Sequence, residues 1–420
     1  MKTSEMIIPK IKERIKRKID KIYRGKSRRD KEFLSEILMG ILTSKDVKLS
    51  EIGRGLKEDI KINYTIKRMS RHINKEDYSK GINETMLRET TVHQSGKEII
   101  AVDFSDIIKP NAVSMENIAG VHDGSENKTG KGYNLLICSR IQENRMELMY
   151  SELFSTKEEH YQSYYSKVEK VLDQIKANSY GKPLGTIVMD RGFDDKKYYK
   201  YFNKNGINFI VRLRKNRKVK ESGKWILLEK LYSRMTKRNY IGKVIYEREK
   251  RKSRIGIGYR KVQIEGIKGE YDLIVIESEY YAEPMYLLTN RKCNSKESAK
   301  KIYEMYLKRW GIEQMIRAMK EEYNLEDVRV LKYKALKNMI SFVALVMYLV
   351  GKIVYEVGNN TKYLKRQIIS ISKRIKKTGH FLYYAVSDGI SSILKNIDKK
   401  IIFYPIKFYG DLPLFAKKSG

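Results

Sequence analysis

Two short apolar runs that each close on an aspartate constrain most strongly what this chain folds into. Residues 98–103 (EIIAVD) and 184–190 (LGTIVMD) read as strands, because a brief apolar run bounded by polar and turn residues suits a buried strand. Residues 132–142 (GYNLLICSRIQ) and 146–154 (MELMYSELF) read as two more, antiparallel to each other. Residues 157–178 read as a helix, Asp194 as the cap of a further helix, and 207–213 (INFIVRL) as another strand. Three strands, a helix, a strand, a helix and a strand specify a mixed α/β sheet. Strand ends in α/β sheets face the ligand crevice, which places Asp103 and Asp190 where a ligand would bind.

Around this core the chain divides into further stretches. Residues 1–90 read as helical and basic. Within them, 33–44 is amphipathic, Ser50 is a good N-cap for a short helix to about Leu56, and 63–73 forms a second short helix bearing Lys67, Arg68 and Arg71. That order is compatible with a helix-turn-helix DNA reader and equally with an ordinary helical bundle. The core occupies 95–213 and resumes over 286–357. Residues 214–285 interrupt it with alternating, basic, strand-like segments such as 254–264 (RIGIGYRKVQI) and read as a β-rich insertion. Residues 339–351 are the most apolar run, too short to span a bilayer and better explained as part of a buried helix, so no membrane partner is expected. Residues 358–420 read as helical and then irregular, a candidate dimerisation region.

Lysine and arginine total 87 against 51 aspartates and glutamates, a net charge of +36 with a pI near 9.8. The surplus is spread along the chain and favours a polyanionic partner such as nucleic acid, although AT-rich coding raises basicity as well. Two distant cysteines, Cys138 and Cys293, and five histidines argue against a disulfide framework or a zinc site and fit a reducing, cytoplasmic setting. The N-terminus carries charge but no apolar signal segment.

Residues 306–320 (YLKRWGIEQMIRAMK) carry the densest chemistry. On a helix at about 100° per residue, with Tyr306 at zero, Glu313 falls near about −20°, Lys320 near about −40° and Arg309 near about −60°. Met305, Ile312, Met315, Ile316, Met319 and Tyr323 gather on the adjoining face and face a core. A carboxylate flanked by two cations and a phenol can hold a divalent metal and grip phosphate. A solvated face laced with salt bridges is the competing explanation. Asp103, Asp190 and Glu313 together make a carboxylate triad suited to magnesium, and two such ions about 3.5–4 Å apart can drive an in-line phosphodiester displacement. Local roles compete: Asp103 or Asp106 as a turn cap, Asp190 as the partner of Arg191 or Arg212.

These residues carry a family resemblance. The chain resembles the DDE transposases of the insertion-sequence-four group, whose catalytic core is ribonuclease-H-like. Tyr306, Arg309, Glu313 and Lys320 reproduce the group's Y-R-E-K signature with two, three and six intervening residues. The segments around Val102-Asp103 and Val188-Met-Asp190-Arg-Gly-Phe-Asp194 resemble those holding its two catalytic aspartates. His122-Asp-Gly-Ser125 followed by Gly132-Tyr133, and a β-rich insertion before the glutamate helix, also fit the group.

The resemblance implies Asp103, Asp190 and Glu313 as catalytic ligands of two Mg²⁺ ions, with Mn²⁺ as a substitute. It makes Tyr306, Arg309 and Lys320 holders of DNA phosphate. Asp106 competes with Asp103, which is preferred for its place at the end of the apolar run. Trp225, in the insertion, is either a stacking partner for a flipped base or a packing residue. The implied activity is cleavage at the ends of an insertion element and strand transfer into target DNA. The basic N-terminal region, with Lys67, Arg68 and Arg71 as candidate contacts, would read the terminal repeats. The protein would act as a homodimer in the synaptic complex, on DNA in the cytoplasm. A transposase-derived repressor without catalysis, or a metal-dependent nuclease without strand transfer, are the rival readings.

Overall fold

The structure is a computed structural model that describes residues 3–396 apart from 25, 93, 124–127, 144, 247–248, 356–358 and 375–380. The end of the motif at 122–125, and residues 397–420 of the expected C-terminal region, lie outside the described residues.

Five helices open the chain: α1 (Thr3–Ile22), α2 (Arg28–Ser44), α3 (Leu49–Leu56), α4 (Ile62–Ile73) and α5 (Ser79–Thr91). Strands β1 (Ile99–Ile108), β2 (Ala119–Asp123), β3 (Lys128–Gln142) and β4 (Arg145–Phe154) follow, then α6 (Tyr164–Asn178), β5 (Thr186–Met189), α7 (Lys196–Asn205) and β6 (Phe209–Arg212). A small hairpin, β7 (Lys218–Glu221) and β8 (Lys224–Leu227), leads through α8 (Leu228–Ser233) to β9 (Arg238–Tyr246), β10 (Glu249–Val262), β11 (Tyr271–Ser278) and β12 (Met285–Thr289). The chain ends in helices α9 (Lys296–Lys308), α10 (Trp310–Glu322), α11 (Tyr333–Tyr355), α12 (Asn359–Ile371) and α13 (Tyr383–Lys395).

Among the described residues ten strands form one mixed sheet in the order β2-β3-β1-β5-β6-β12-β11-β10-β9, with β4 pairing β3. Strands β1, β5 and β6 run parallel and the other pairs antiparallel. Both faces are covered, which explains why β1 and β5 read as continuous apolar runs. Alternate residues of β1 show it directly. Ile99, Ala101 and Ile107 join a core with α2, α10 and α11, whereas Ile100 and Val102 join one with α6 and α7.

The 23-residue α11 is long and apolar enough to cross a membrane, yet its most apolar window is 89% buried within the protein, so it serves as the central core helix. It packs against β4, α5 and α2, and α13 returns to cover α2 and α11. Strands β9 to β11, in the stretch that interrupts the sequence pattern, extend the same sheet edge to edge from β12.

Several boundaries depart from the sequence reading, each for a local reason. Strand β1 does not stop at Asp103: fully paired with the long β3, it continues to Ile108. Helix α6 starts at Tyr164, where Ser163 and Ser166 form a reciprocal capping box. Asp195, not Asp194, caps α7, accepting from the Lys197 amide at 2.8 Å. Asp194 is instead buried, accepting from Tyr199 and the Arg214 amide and pairing with Arg217. Lys48, not Ser50, precedes α3, and Asp46 Oδ1 accepts from the Lys48 amide.

Candidate active site

Asp103 sits where β1 loses one neighbour. Its antiparallel pairing with β3 is continuous, with Asp103 opposite Ile137, but the parallel pairing with β5 ends at Ala101 opposite Val188. Strand β5 stops at Met189, so Asp190 emerges from the sheet beside the open edge of β1. Asp190 opens a 3-10 turn at Arg191–Phe193, with Oδ1 accepting from the Gly192 amide at 2.8 Å. A Cβ at Gly192 would lie 3.0 Å from that oxygen, so the glycine permits the close approach that orients the carboxylate.

The third acid arrives on α10, which packs against β1 and β3. The segment expected as one helix is two, α9 and α10, joined at Arg309. Backbone there stays near helical, but the bonds tighten to three-residue spacing, Arg309 to Tyr306 and Ile312 to Arg309, each at 2.9 Å. The apolar face behaves as expected: Ile312, Met315, Met319 and Tyr323 are fully buried, and Met305 and Ile316 pack against them.

Asp103, Asp106, Asp190, Arg191, Glu313 and Lys320 line one cavity of about 1610 Å³. Arg309, itself not among the lining residues, bridges two of the acids. Nη1 donates to Asp103 Oδ2 at 2.8 Å, and Nη2 donates to Glu313 Oε1. Tyr306 lies buried under Arg309, its ring centroid 5.6 Å from the guanidinium carbon, outside the residues lining the cavity. Lys320 pairs with Asp106 at 3.4 Å and Glu326 at 3.0 Å. The structure thus separates the two neighbouring aspartates: Asp103 goes to Arg309 and Asp106 to Lys320.

Burial and charge act together on these groups. Burial pushes the Asp103 carboxyl up to about 7; Arg309 opposes this, and the Asp190 and Glu313 carboxylates add to it. Arg309 is held firmly charged: Tyr306, Asp103 and Glu313 outweigh its burial. Among the described residues no three His, Cys, Asp or Glu side chains stand close enough together to hold a metal ion. The intervening group is Arg309, a built-in cation on the donors a metal would need. The donor set itself, three carboxylates around one cavity with a cation between two of them, has the chemistry of a hard divalent-ion site.

The remaining candidates lie elsewhere. Trp225 is 47% exposed on the β7–β8 hairpin opposite Lys220, so it is not a packing residue. On α4, Thr65, Met69 and Ile73 are buried and Lys67 and Arg71 exposed, while Arg68 is held by Glu36 at 3.1 Å and Glu58 at 2.6 Å. Sequence reasoning missed Glu326 and Asp327, which reach the cavity from the turn after α10. Glu326 shares Lys320 with Asp106, a role that no spacing from Glu313 announces.

Residues 94–349 match the transposase DDE domain family. No curated protein matches the chain. Among solved structures, a piggyBac transposase synaptic complex with hairpin DNA is similar at 12% identity, with a TM-score of 0.45 over 99% of this chain and 85% of that one. The family match spans well over half of the sequence and includes Asp103, Asp190 and Glu313: the chain belongs to the DDE transposases.

Proposed function

We propose that this protein is the transposase of a bacterial-type insertion element, of the insertion-sequence-four group, cutting DNA at the element ends and joining the freed 3′-hydroxyl to target DNA. The observation that carries this is the gathering of Asp103, Asp190 and Glu313 on one cavity, on three elements that the sequence keeps far apart. Asp103, Asp190 and Glu313 would hold the divalent cations, Mg²⁺ or Mn²⁺, which supply Lewis-acid stabilisation of the phosphoryl oxygens and activation of the attacking oxygen. In the first step water oxygen bonds to phosphorus at the element end, and the bond to the 3′-oxygen breaks. In the second the released 3′-hydroxyl attacks a target phosphodiester, displacing a target 3′-oxygen.

Arg309 has to change partners during this cycle. A phosphodiester presents two oxygens to a guanidinium much as a carboxylate does. An incoming strand can therefore draw Arg309 off Asp103 and Glu313, leaving both carboxylates to the cations. Buried Tyr306 supports the guanidinium from below. Lys320, on the same cavity, is the second phosphate holder, with Asp106 and Glu326 as its resting partners. The ribonuclease-H-like reading is supported by the strand order β4-β3-β1-β5-β6, an antiparallel meander followed by parallel strands. Exposed Lys67 and Arg71 on α4 suit contact with the terminal repeats, and pairing of two ends calls for a homodimer on DNA in the cytoplasm.

The test is a cleavage and joining assay on DNA carrying the element's ends, with Mg²⁺ or EDTA, comparing wild type with Asp190→Ala. Metal-dependent 3′-hydroxyl release and joined product, both lost in the variant, are expected. Nicked DNA without joined product would replace the reading with a nuclease, and end binding without cleavage in any metal would replace it with a repressor.

A further inference from the structure

A second cavity, of about 510 Å³, lies between α1, the β3–β4 turn and α11 and shares no lining residue with the carboxylate cavity. Its lining holds seven cationic side chains against two carboxylates. Both carboxylates are already engaged. Glu89 accepts from Lys18, from Lys21 at 3.2 Å and from Tyr348 at 2.7 Å, and Glu147 accepts from Arg140 at 3.1 Å and Lys352 at 2.9 Å. Two of the cations form a floor, Lys18 being 9% and Arg140 7% exposed. Burial lowers the Lys18 pKa, and the charges of Lys21 and Lys352 add to that against the pull of Glu89. From outside the lining Glu13 pairs with Arg17 at 3.0 Å and Glu98 with Arg140 at 3.4 Å, so seven cations meet four carboxylates and the balance stays positive.

The rim continues along α1. Ile8, Ile11, Ile15 and Ile19 bury one face of this helix. Lys10, Arg14, Arg17 and Lys21 recur at four-, three- and four-residue steps, which sets them in one row at the border of that face. The row is roughly 16 Å long, the axial run of four to five phosphates on one DNA strand at about 3.4 Å each. Arg145, exposed at the start of β4, stands on the facing wall. Gln142, the amide in the lining, has its Oε1 taken by Arg140 at 2.7 Å, and Leu349 and the Tyr355 ring offer little that could read a base edge. The row instead matches an evenly spaced polyanion.

We propose that this cavity and the cationic row on α1 form a second DNA-backbone site, which holds duplex phosphates without reading sequence, apart from the strand at the carboxylates. This rests on the DNA reading above but needs neither metal nor cleavage. It places DNA against the end of the β1–β3 pair away from Asp103, because Arg140 lies opposite Ile100 and Gln142 follows at the strand end. The earliest helix and the catalytic sheet would then clamp the same backbone.

The experiment is a binding titration of a labelled duplex without element ends, in EDTA, across a salt series. Wild type is compared with Arg14→Ala/Arg17→Ala/Arg145→Ala and with a control of equal charge loss, Lys200→Ala/Lys204→Ala/Lys230→Ala on the exposed surfaces of α7 and α8. The cavity variant should lose about two to three units of salt slope, roughly 0.9 per phosphate contact removed, with the control close to wild type. The single Arg145→Glu, on an exposed strand start, should lose about one unit and covers the case in which the triple variant fails to fold. A wild-type slope in the cavity variants, or an equal loss in the control, overturns the proposal while leaving the transposase reading intact. Full displacement of the duplex by inorganic pyrophosphate at matched ionic strength overturns it in favour of a small-anion pocket. If wild type binds no duplex at all, the DNA reading itself falls.

Discussion

The two cavities meet opposite charge problems, and each carries its own counter-ion. In the carboxylate cavity acids are gathered within a chain of net charge +36, and one guanidinium, Arg309, sits directly on Asp103 and Glu313. In the basic cavity cations are gathered, and Glu89 and Glu147 sit among them. The counter-ions differ in what they leave available. Arg309 takes one oxygen of Asp103 and one of Glu313, so a ligand that needs both has to displace it. Glu89 and Glu147 are two carboxylates among seven lining cations, so a ligand there meets an excess of positive charge without displacing either. One cavity is thus latched by its counter-ion, and the other is merely supported by its own.

The most severe way to break the latch picture is to remove the acid at its far end. Glu313→Gln keeps the helix and the bridge from Arg309 to Asp103 but deletes a charged ligand. Cleavage should fall by about 10³-fold or more, roughly 4 kcal/mol of transition-state stabilisation, with end binding within about twofold of wild type. Cleavage at the wild-type rate would remove Glu313 from the site.

Arg309→Ala breaks the same picture from the other side. Without metal it leaves a buried Asp103 with no cation, and stability in EDTA should drop by about 3 kcal/mol, measured by denaturant unfolding. Mn²⁺ should then bind in the absence of DNA about tenfold more tightly than to wild type, and should restore most of the lost stability. Equal Mn²⁺ affinity of the two proteins would show that Arg309 does not latch the donors.

How much of this was legible in the sequence differs between the two cavities for a physical reason. The acids of the first lie at ends of apolar runs and on one turn of an amphipathic helix, so short-range periodicity already marks Asp103, Asp190 and Glu313. What periodicity could not show is pairing. Strand β1 runs through Phe104, Ser105 and Asp106 to Ile108 because β3, fifteen residues long, pairs with it throughout. Strands β9 to β11 look like an inserted unit until β12 is found hydrogen-bonded to β6 on one side and β11 on the other. Asp194 and Asp195 are adjacent acids before a helix, and partners brought in by the fold, Tyr199, the Arg214 amide and Arg217, decide which one is buried. The basic cavity had half a signature: the spacing of Lys10, Arg14, Arg17 and Lys21 on α1 is local, but Arg140, Arg145 and Lys352 join that row only through tertiary packing. In a chain with 87 lysines and arginines, those three carry no signal by themselves.

The floor of the basic cavity offers a test by pH. Burial pushes the Glu89 carboxyl up, but hydrogen bonds from Lys18 and Tyr348 and the charge of Lys18 outweigh it and hold the group at about 2, below its ordinary 4.5. A depressed folded-state pKa means that the unfolded chain binds more protons in between. The stabilisation is therefore present above about pH 4.5 and lost as pH falls toward 2. Glu89→Gln should cost about 2 kcal/mol at pH 7, and the difference from wild type should close on acidification. A difference in unfolding midpoint that stays constant down to pH 2 would mean that Glu89 acts through packing and not through its charge.

The smallest effect separates the internally paired cation of α4 from its exposed ones. Arg68 is held between Glu36 and Glu58 with its side chain 32% exposed, so after discounting for solvent Arg68→Ala should cost about 1 kcal/mol or less. Lys67 and Arg71 are exposed, and their double alanine variant should change stability by under about 0.5 kcal/mol. DNA binding should invert that order. The Lys67/Arg71 variant should lose up to about two units of salt slope on element-end DNA, while Arg68→Ala loses little, because its charge is already taken up inside the protein. If Arg68→Ala lowers the slope as much as the double variant, its ion pairs open on DNA as those of Arg309 are proposed to do. The latch would then be a recurring device for cations in this protein and not a peculiarity of the carboxylate cavity.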